Sequence, residues 1–185
     1  MKLDITLCIT PDMLRDAQGS QNKALAGHLG THFDVMDKVF PLDYTCRRGI
    51  VFDVGHIEGR DIDIADVPLQ LVEQDMFVAF RTAFGETEPY GTVRYFKEHP
   101  QLSHALIDAL LEKKISIIGV DFAGIRRGKE HVPKDQLCAD RGVFVIENLR
   151  NLGEILAHGG SFTAHTYPLN CVGMTGIPCR VIAEI

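Results

Sequence analysis

The chain has 185 residues, of which 45% are hydrophobic and 24% are charged, and its formal net charge at pH 7 is −6. This length and apolar content suffice for one well-buried core, so we expect a single domain over residues 1–185. The negative charge argues against a nucleic-acid partner, because phosphate binding needs a basic surface. No run approaches the roughly 18 apolar residues of a membrane span, and the start of the chain is typical of a strand and not of a secretory signal.

The first half of the chain predicts mainly strands. Residues 3–10 favour an initial strand that ends at Pro11. Residues 12–23 are polar and predict a loop that leads directly into the stretch 27–34. Residues 85–99 are rich in Glu, Gly, Tyr and Pro, which is typical of a long loop that covers a site. Further strands are predicted over residues 49–54 and 76–82, and residues 60–65 predict either another strand or the approach to a short helix.

The second half alternates helices with apolar strands. Residues 102–114 have the apolar spacing of an amphipathic helix and run into a buried strand, residues 115–121, with a carboxylate at its end. This step predicts an α/β fold. Arg126–Lys129 is a charge run typical of a solvated loop. Helices are also predicted over 133–141 and 149–157, and strands over 143–148, 161–169 and 178–185.

The five cysteines are scattered and contain no Cys-x-x-Cys pair: Cys8, Cys46, Cys138, Cys171 and Cys179. An odd, dispersed set fits reduced thiols better than a disulfide framework, so we expect a cytoplasmic protein. Cys46 or Cys171 could act as a nucleophile, but no neighbouring motif supports that role.

Residues 27–34 read Gly-His-Leu-Gly-Thr-His-Phe-Asp. On a helix, Asp34 would point roughly 200° away from His32. On a strand, His28, Gly30, His32 and Asp34 all project to one side, and the two glycines also disfavour a helix. We therefore predict a strand, with Gly30 leaving room between the two histidines.

Imidazole and carboxylate groups on one face are the ligands that Zn²⁺ and Mn²⁺ take in proteins. A single histidine is more often a hydrogen-bonded or surface residue, but the three residues together around a glycine favour a divalent metal ion. The same strand parity extends to Lys38. In an unbulged strand its amine would begin on the metal side, where the ion's charge and burial would lower its pKa towards that of a general base. The alternative is a bend at Met36 or Asp37 that turns Lys38 to water, where it would pair with Asp37.

The motif His28-x-Gly30-Thr31-His32-x-Asp34 resembles the metal motif H-x-G-T-H-x-D-x-P-x-H of the cyclase family of metal-dependent hydrolases, which includes bacterial kynurenine formamidase and isatin hydrolase. Further segments that resemble the family follow in the same order along the chain: Val78–Thr82, Ile118–Asp121, Ile146–Leu152 and Pro168–Arg180.

The resemblance implies a single-domain α/β protein with a swivelling β/β/α three-layer fold. It also implies that His28, His32, Asp34 and Glu147 hold a divalent metal ion, Zn²⁺ or Mn²⁺, which activates water for hydrolysis of an amide or cyclic amide. A family histidine used for a second ion aligns with Asp135, and His131 is a nearby substitute. We expect one tightly bound ion per chain and, as in many members, a homodimer or homotetramer.

The chain departs from the family where Met36 replaces the motif's proline and Lys38 its last histidine, and where Gly124 and Arg126 replace Ser and Asp. We expect a metal-dependent hydrolase of a C–N bond in a small molecule, similar to arylformamidase of tryptophan catabolism. Lys38 is the candidate acid or base, and Arg81 is the candidate substrate-binding residue. The alternative is a non-catalytic metal-binding relative that binds a small carboxylate through Arg81 or Arg126.

Overall fold

The computed structural model describes residues 1–13, 27–171 and 173–185, so most of the loop predicted over 12–23 lies outside the described residues. Within these ranges the strands belong to one sheet. In chain order they are β1 (Lys2–Asp4), β2 (His32–Asp34), β3 (Cys46–Asp53), β4 (Phe77–Arg81), β5 (Ile117–Val120), β6 (Phe144–Glu147), β7 (Ser161–Pro168) and β8 (Gly176–Glu184).

The α-helices that follow between and after these strands are short. They are α1 (Phe84–Thr87), α2 (Val93–Lys97), α3 (His104–Glu112), α4 (His131–Asp140) and α5 (Leu152–Ala157). Across the described ranges, no helix combines the length and the apolar character needed to cross a lipid bilayer.

The sheet has the order β1-β8-β2-β6-β5-β4-β3-β7, and β7 also pairs with β8, so the sheet closes into a barrel. Strands β3 to β6 run parallel to one another, whereas β3 is antiparallel to β7, and β2 is antiparallel to both β6 and β8. Because the parallel strands share one direction, their carboxyl ends lie at the same edge of the sheet. Asp53, Arg81, Asp121 and Glu147 all lie at or just beyond that edge.

Alternation along the buried strands separates two apolar cores. Phe77 and Ala79 of β4 face the barrel interior with Phe33 and Phe162. Val78 and Phe80 face the opposite way, in a second core that includes α3 residues such as Leu106 and Leu110. This arrangement gives two β layers and one helical layer, so the predicted α/β fold with β/β/α layering is confirmed.

Several predicted elements differ in extent. Of the two alternatives for residues 60–65, the structure has the approach to a short helix: Ile62 forms only a bridge with Leu102, and the Asp63 side chain caps a 3₁₀ turn, Ile64–Asp66. The segment 85–99 is not a long loop: it contains most of α1 and all of α2, with the Thr92 hydroxyl accepting the Tyr95 N–H at the start of α2.

His99 lies at the end of this segment and is almost completely buried. Its Nδ1 atom lies 2.8 Å from the Pro100 carbonyl oxygen, and its ring stacks on Phe122 with centroids 5.4 Å apart. Burial lowers the pKa of His99 to about 4. In the unfolded chain His99 binds a proton near pH 6.5, whereas in the folded chain it stays neutral down to about pH 4. Folding stability is therefore lost as the pH falls from about 6.5 to about 4.

We expect the His99→Phe variant, which retains a stacked ring, to lose less thermal stability between about pH 7 and pH 4.5 than the wild type. The difference in unfolding free energy is on the order of 2–3 kcal/mol across the window. Thermal melts followed by circular dichroism measure this. The control is His158→Phe, since His158 also directs Nδ1 at a backbone carbonyl, that of Glu154, but is exposed. Equal pH slopes for wild type and His99→Phe would contradict the assignment.

Candidate metal centre

The two histidines and the aspartate of the motif meet at the start of β2. The strand is shorter than predicted: it begins at His32, and residues 27–31 form a loop in which Gly27 and Gly30 have φ of 74° and 67°. The loop turns His28 towards the strand, so that its Nδ1 atom lies 3.0 Å from His32 Nε2 and 3.0 Å from Asp34 Oδ1. The ligand atoms of the three residues all lie within 4.8 Å of one another.

The glycine that makes room for this cluster is not the predicted one. A Cβ atom at Gly30 would lie 2.2 Å from Ile9 Cδ1, so Gly30 permits a left-handed turn and the close approach of Ile9. A Cβ atom at Gly176, on neighbouring β8, would instead lie 2.7 Å from the His28 ring. Gly176 therefore provides the space that the sequence interpretation assigned to Gly30.

Glu147 joins the cluster through strand register. It ends β6 directly opposite His32 on β2, and its Oε2 atom lies 3.6 Å from His32 Nε2. His32 Nε2 is also 3.6 Å from Asp34 Oδ1. Ligand bonds of 2.0–2.1 Å in a tetrahedral zinc site place ligand atoms roughly 3.3 Å apart, which matches these separations.

The orientation of His32 directs a lone pair into the cluster. Its Nδ1 atom lies 2.8 Å from the Gly30 carbonyl oxygen, an acceptor only, so Nδ1 carries the hydrogen and Nε2 is the free acceptor. On the outer side of the cluster, His28 Nε2 lies 3.0 Å from the Thr175 hydroxyl oxygen. Each imidazole thus makes a hydrogen bond through the ring nitrogen that faces away from the cluster, as metal-ligating histidines usually do.

The buried carboxylates around this point lack donors. Among the described residues, Asp34 Oδ1 contacts the His28 imidazole at 3.0 Å, but no hydrogen-bond partner reaches Asp34 Oδ2, Oε1 of Glu147 or Oδ1 of Asp135. Burial, and then the charge of Asp34, raise the pKa of Glu147 and of Asp135 well above their usual values. Burial would also raise the pKa of Asp34, but the imidazoles of His32 and His28 lower it. A shared cation would compensate these buried acceptors, and a nitrogen and oxygen set of this kind fits a divalent metal ion.

A second group of acceptors lies on the other side of Glu147. His131, at the start of α4, places Nδ1 3.0 Å from the Arg126 carbonyl oxygen and Nε2 3.4 Å from Asp135 Oδ2 and 3.7 Å from Glu147 Oε1. A Cβ atom at Gly124 would lie 2.3 Å from His131 Nδ1. The glycine at position 124 therefore leaves the space that the His131 ring occupies, which gives this departure from the family motif a physical reason.

Lys38 lies elsewhere than strand parity predicts. The strand β2 ends at Asp34, and Met36 has φ of 56° within a turn closed by the Lys38 N–H and the Val35 carbonyl. The Lys38 ammonium lies 2.7 Å from Asp140 Oδ1 and 3.0 Å from Asp37 Oδ1. These two carboxylates raise the pKa of Lys38, so the expected continuation of the strand and the expected lowering of this pKa are both wrong.

The two candidate anion-binding arginines are already paired. Arg81 donates from Nε and Nη2 to both oxygens of Glu86, at 2.9 and 2.8 Å, and its Nη1 lies 3.3 Å from Asp53. Arg126 is only 7% exposed and pairs with Asp61 and Glu130. Arg126 is therefore a buried side chain paired with partly exposed carboxylates, and not part of the solvated loop predicted from its charge run.

Other residues at the centre escaped the sequence interpretation. Tyr90 and Tyr95 come from the segment 85–99, and no local pattern connects them with the metal motif. Asn148 directly follows Glu147 and has φ of 61°, a conformation that asparagine tolerates better than most residues. The sequence signals for Asn148 are its place at the carboxyl end of a buried strand and its position within the family-like segment Ile146–Leu152.

Comparisons with known proteins identify the fold and the family. The structure superposes on a "potential metal-dependent hydrolase with cyclase activity" with a TM-score of 0.76 and 23% identity, covering 99% of this chain and 96% of the other. A "predicted metal-dependent hydrolase from Bacillus stearothermophilus" superposes with a TM-score of 0.74 and 22% identity, covering 99% of this chain and 97% of the other. Isatin hydrolase A from Labrenzia aggregata superposes with a TM-score of 0.74 and 18% identity, covering 99% of this chain and 93% of the other.

At these identities the structural likeness establishes the fold, which is thus shared over almost the whole length of each chain. No curated protein matches the sequence. A family model described as "Putative cyclase" matches residues 3–126, well over half of the chain, and the protein therefore belongs to the cyclase family.

Proposed function

We propose that the protein is a metal-dependent hydrolase that cleaves the C–N bond of a small amide or cyclic amide. The observation that carries the proposal is the convergence of His28, His32, Asp34 and Glu147, whose buried acceptor atoms have too few donors among the described residues. Membership of the cyclase family, and a fold shared with isatin hydrolase and other metal-dependent hydrolases, support it.

The residues that would hold the ion are His28, His32, Asp34 and Glu147. When bound, a divalent ion supplies Lewis-acid activation of water and of a substrate carbonyl. The chain contributes the anchoring of His32 by the Gly30 carbonyl and the burial of Asp34 and Glu147, which excludes competing water. With the Lys38 ammonium held in ion pairs, the carboxylates of Glu147 and Asp135 are groups at the centre that can accept a proton.

A partly apolar cavity of about 580 Å³ has a size that suits a compact substrate, and its lining includes Met36, Lys38, Met174 and Ile177. The backbone N–H groups of Val35 and Met36 both donate to the carbonyl of Thr175, whose hydroxyl contacts His28, so the cavity wall and the centre are joined.

An aryl formamide of tryptophan catabolism is the narrower proposal, and it rests on the family resemblance. Arg81 would bind a substrate carboxylate in place of Glu86. A cytoplasmic homodimer or homotetramer is likewise a proposal that rests on the resemblance and on the cysteine pattern.

A second candidate function is metal-dependent binding of a small carboxylate without catalysis. The observation that favours it is the state of Lys38: it replaces the family's proton-transferring histidine, and two aspartates hold it as an ammonium ion. A point charge can orient an anion but does not accept a proton.

The metal ligands can be tested by elemental analysis of purified protein. We expect His28→Ala and Asp34→Ala to abolish tight Zn²⁺ or Mn²⁺ binding, because each removes one ligand and leaves the other acceptors uncompensated. His99→Ala and His158→Ala are matched controls and should retain wild-type metal. Stoichiometric metal in the folded His28→Ala variant would exclude this site.

The number of ions can be tested by titrating metal-free protein. We expect one tight ion at the first group, and any second ion to bind more weakly at His131, Asp135 and Glu147. Asp135→Ala should remove only the weaker phase of an isothermal titration. Two equally tight ions in the wild type, or complete loss of metal in Asp135→Ala, would contradict this order of binding.

Catalysis can be tested with a panel of aryl formamides, isatin and cyclic imides. We expect the metal-loaded wild type to hydrolyse at least one class, and the His32→Ala variant to hydrolyse none. Since the Lys38 ammonium is held by Asp37 and Asp140, Lys38→Ala should keep its metal and remain within about tenfold of wild-type activity, a loss below about 1.4 kcal/mol.

The control for Lys38→Ala is Lys134→Ala, a change to another lysine near an aspartate, Asp108. A much larger loss in Lys38→Ala with metal retained would restore Lys38 as acid or base. Stoichiometric metal with no hydrolysis of any panel compound would favour the non-catalytic function.

A further inference from the structure

The carbonyl oxygen of Gly30, between the two histidines of the motif, accepts two hydrogen bonds. His32 Nδ1 and Asn148 Nδ2 each lie 2.8 Å from it. A carbonyl oxygen has two lone pairs, so its capacity is filled. The position of the Gly30 oxygen determines the orientation of the His32 ring, and Asn148 is the second side chain that donates a hydrogen bond to this oxygen.

The side-chain amide of Asn148 is held at both ends. Its Oδ1 atom accepts a hydrogen bond of 2.8 Å from the Tyr95 hydroxyl, while its Nδ2 donates to Gly30. Tyr95 is completely buried, and burial raises the pKa of its phenol, so the hydroxyl keeps its proton. A flipped amide would bring Oδ1 against the Gly30 carbonyl oxygen, which is also only an acceptor, so the contact with Gly30 fixes the orientation of Asn148.

The backbone of Asn148 is also hydrogen-bonded to the loop that carries His28. Its carbonyl accepts a hydrogen bond of 2.9 Å from the Thr31 hydroxyl, and its N–H donates to the Phe122 carbonyl at 3.1 Å. On the other side of the loop, the Gly30 N–H donates to the Tyr90 hydroxyl oxygen at 3.0 Å. Both polar groups of Gly30 are therefore fixed by residues from outside the loop.

We propose that Asn148, oriented by Tyr95, is a positioning residue that fixes His32 with its hydrogen on Nδ1 and its Nε2 lone pair towards the metal centre. The inference rests on the proposed metal-dependent function. Without Asn148 the Gly30 carbonyl keeps one donor, and the loop that carries His28 loses a fixed contact with β6. Loss of such supporting hydrogen bonds typically lowers metal affinity by about 10- to 100-fold.

The chain offers a matched pair of variants, Asn148→Gly and Asn151→Gly. Both asparagines have left-handed backbones, with φ of 61° and 56°, which glycine adopts without strain. Both also donate from Nδ2 to a backbone carbonyl, that of Asp4 at 2.9 Å in the case of Asn151. Each change therefore removes a side-chain amide that donates to a backbone carbonyl. Only the amide of Asn148 shares its carbonyl with a candidate metal ligand, His32.

Affinity for Zn²⁺ and Co²⁺ should be measured by chelator competition on the purified full-length chain. The expected result is a fall of about 10- to 100-fold for Asn148→Gly, with an altered visible spectrum of the Co²⁺ form, and a change within about twofold for Asn151→Gly. Tyr95→Phe should change affinity in the same direction by less. Its control is Tyr44→Phe, whose hydroxyl donates to the Gly142 carbonyl. Tyr95→Phe decides the question if Asn148→Gly does not fold.

Nitrogen-15 spectra of the imidazoles in metal-free protein give a second readout. His32 should show the hydrogen on Nδ1 in the wild type and a mixture of tautomers in Asn148→Gly. Unchanged affinity and unchanged tautomer in that variant would overturn the positioning role while leaving the metal site intact. Absence of metal binding by the wild type would instead defeat the proposed function, and the spectra would then decide the positioning role alone.

Discussion

Buried negative charge is the constraint on which this site depends. Asp34, Asp135 and Glu147 are each at most 4% exposed, and their unpartnered oxygens lie beside the imidazoles of His32 and His131. Burial of carboxylates without donors costs several kcal/mol per group. The carboxylates are brought together because β2 and β6 are neighbouring strands whose register places His32 opposite Glu147. A divalent cation turns the same unfavourable arrangement into a favourable one.

Much of this centre could be predicted from the chain. The spacing of His32 and Asp34 follows from the period of a strand, whereas Glu147, at the end of an apolar run that predicts a buried strand, is identified as a ligand from the family resemblance. The layering of the fold follows in the same way, because the runs around Phe77, Ile118 and Val145 are apolar on both faces and therefore need cover on both sides.

The errors arose where the chain leaves regular geometry. The alternation of side chains along a strand would place Lys38 on the metal side only if β2 continued to residue 38. Met36, four residues after His32, instead adopts a left-handed conformation that ends the alternation. The role assigned to Gly30 belongs to Gly176, because the ring of His28 packs against a strand that is distant in sequence. Tyr90 and Tyr95 reach the site through tertiary packing, for which a local pattern holds no information. Periodicity thus located His32 and Asp34, the family resemblance identified Glu147, and long-range contacts decided how these residues are supported.

The pairing of β7 with both β3 and β8 has a consequence for how the centre moves. In an open sheet, β2 could separate from β6 by fraying at an edge. In this closed ring, the hydrogen bonds of β2 to β6 and β8 are flanked by further paired strands on both sides. Separating His32 from Glu147 therefore requires opening the barrel, so the backbone amides of β2 and β6 belong to the most slowly exchanging cooperative unit of the molecule. An ion held there would leave through movement of the loop that carries His28, at a rate set by that loop and not by the strands.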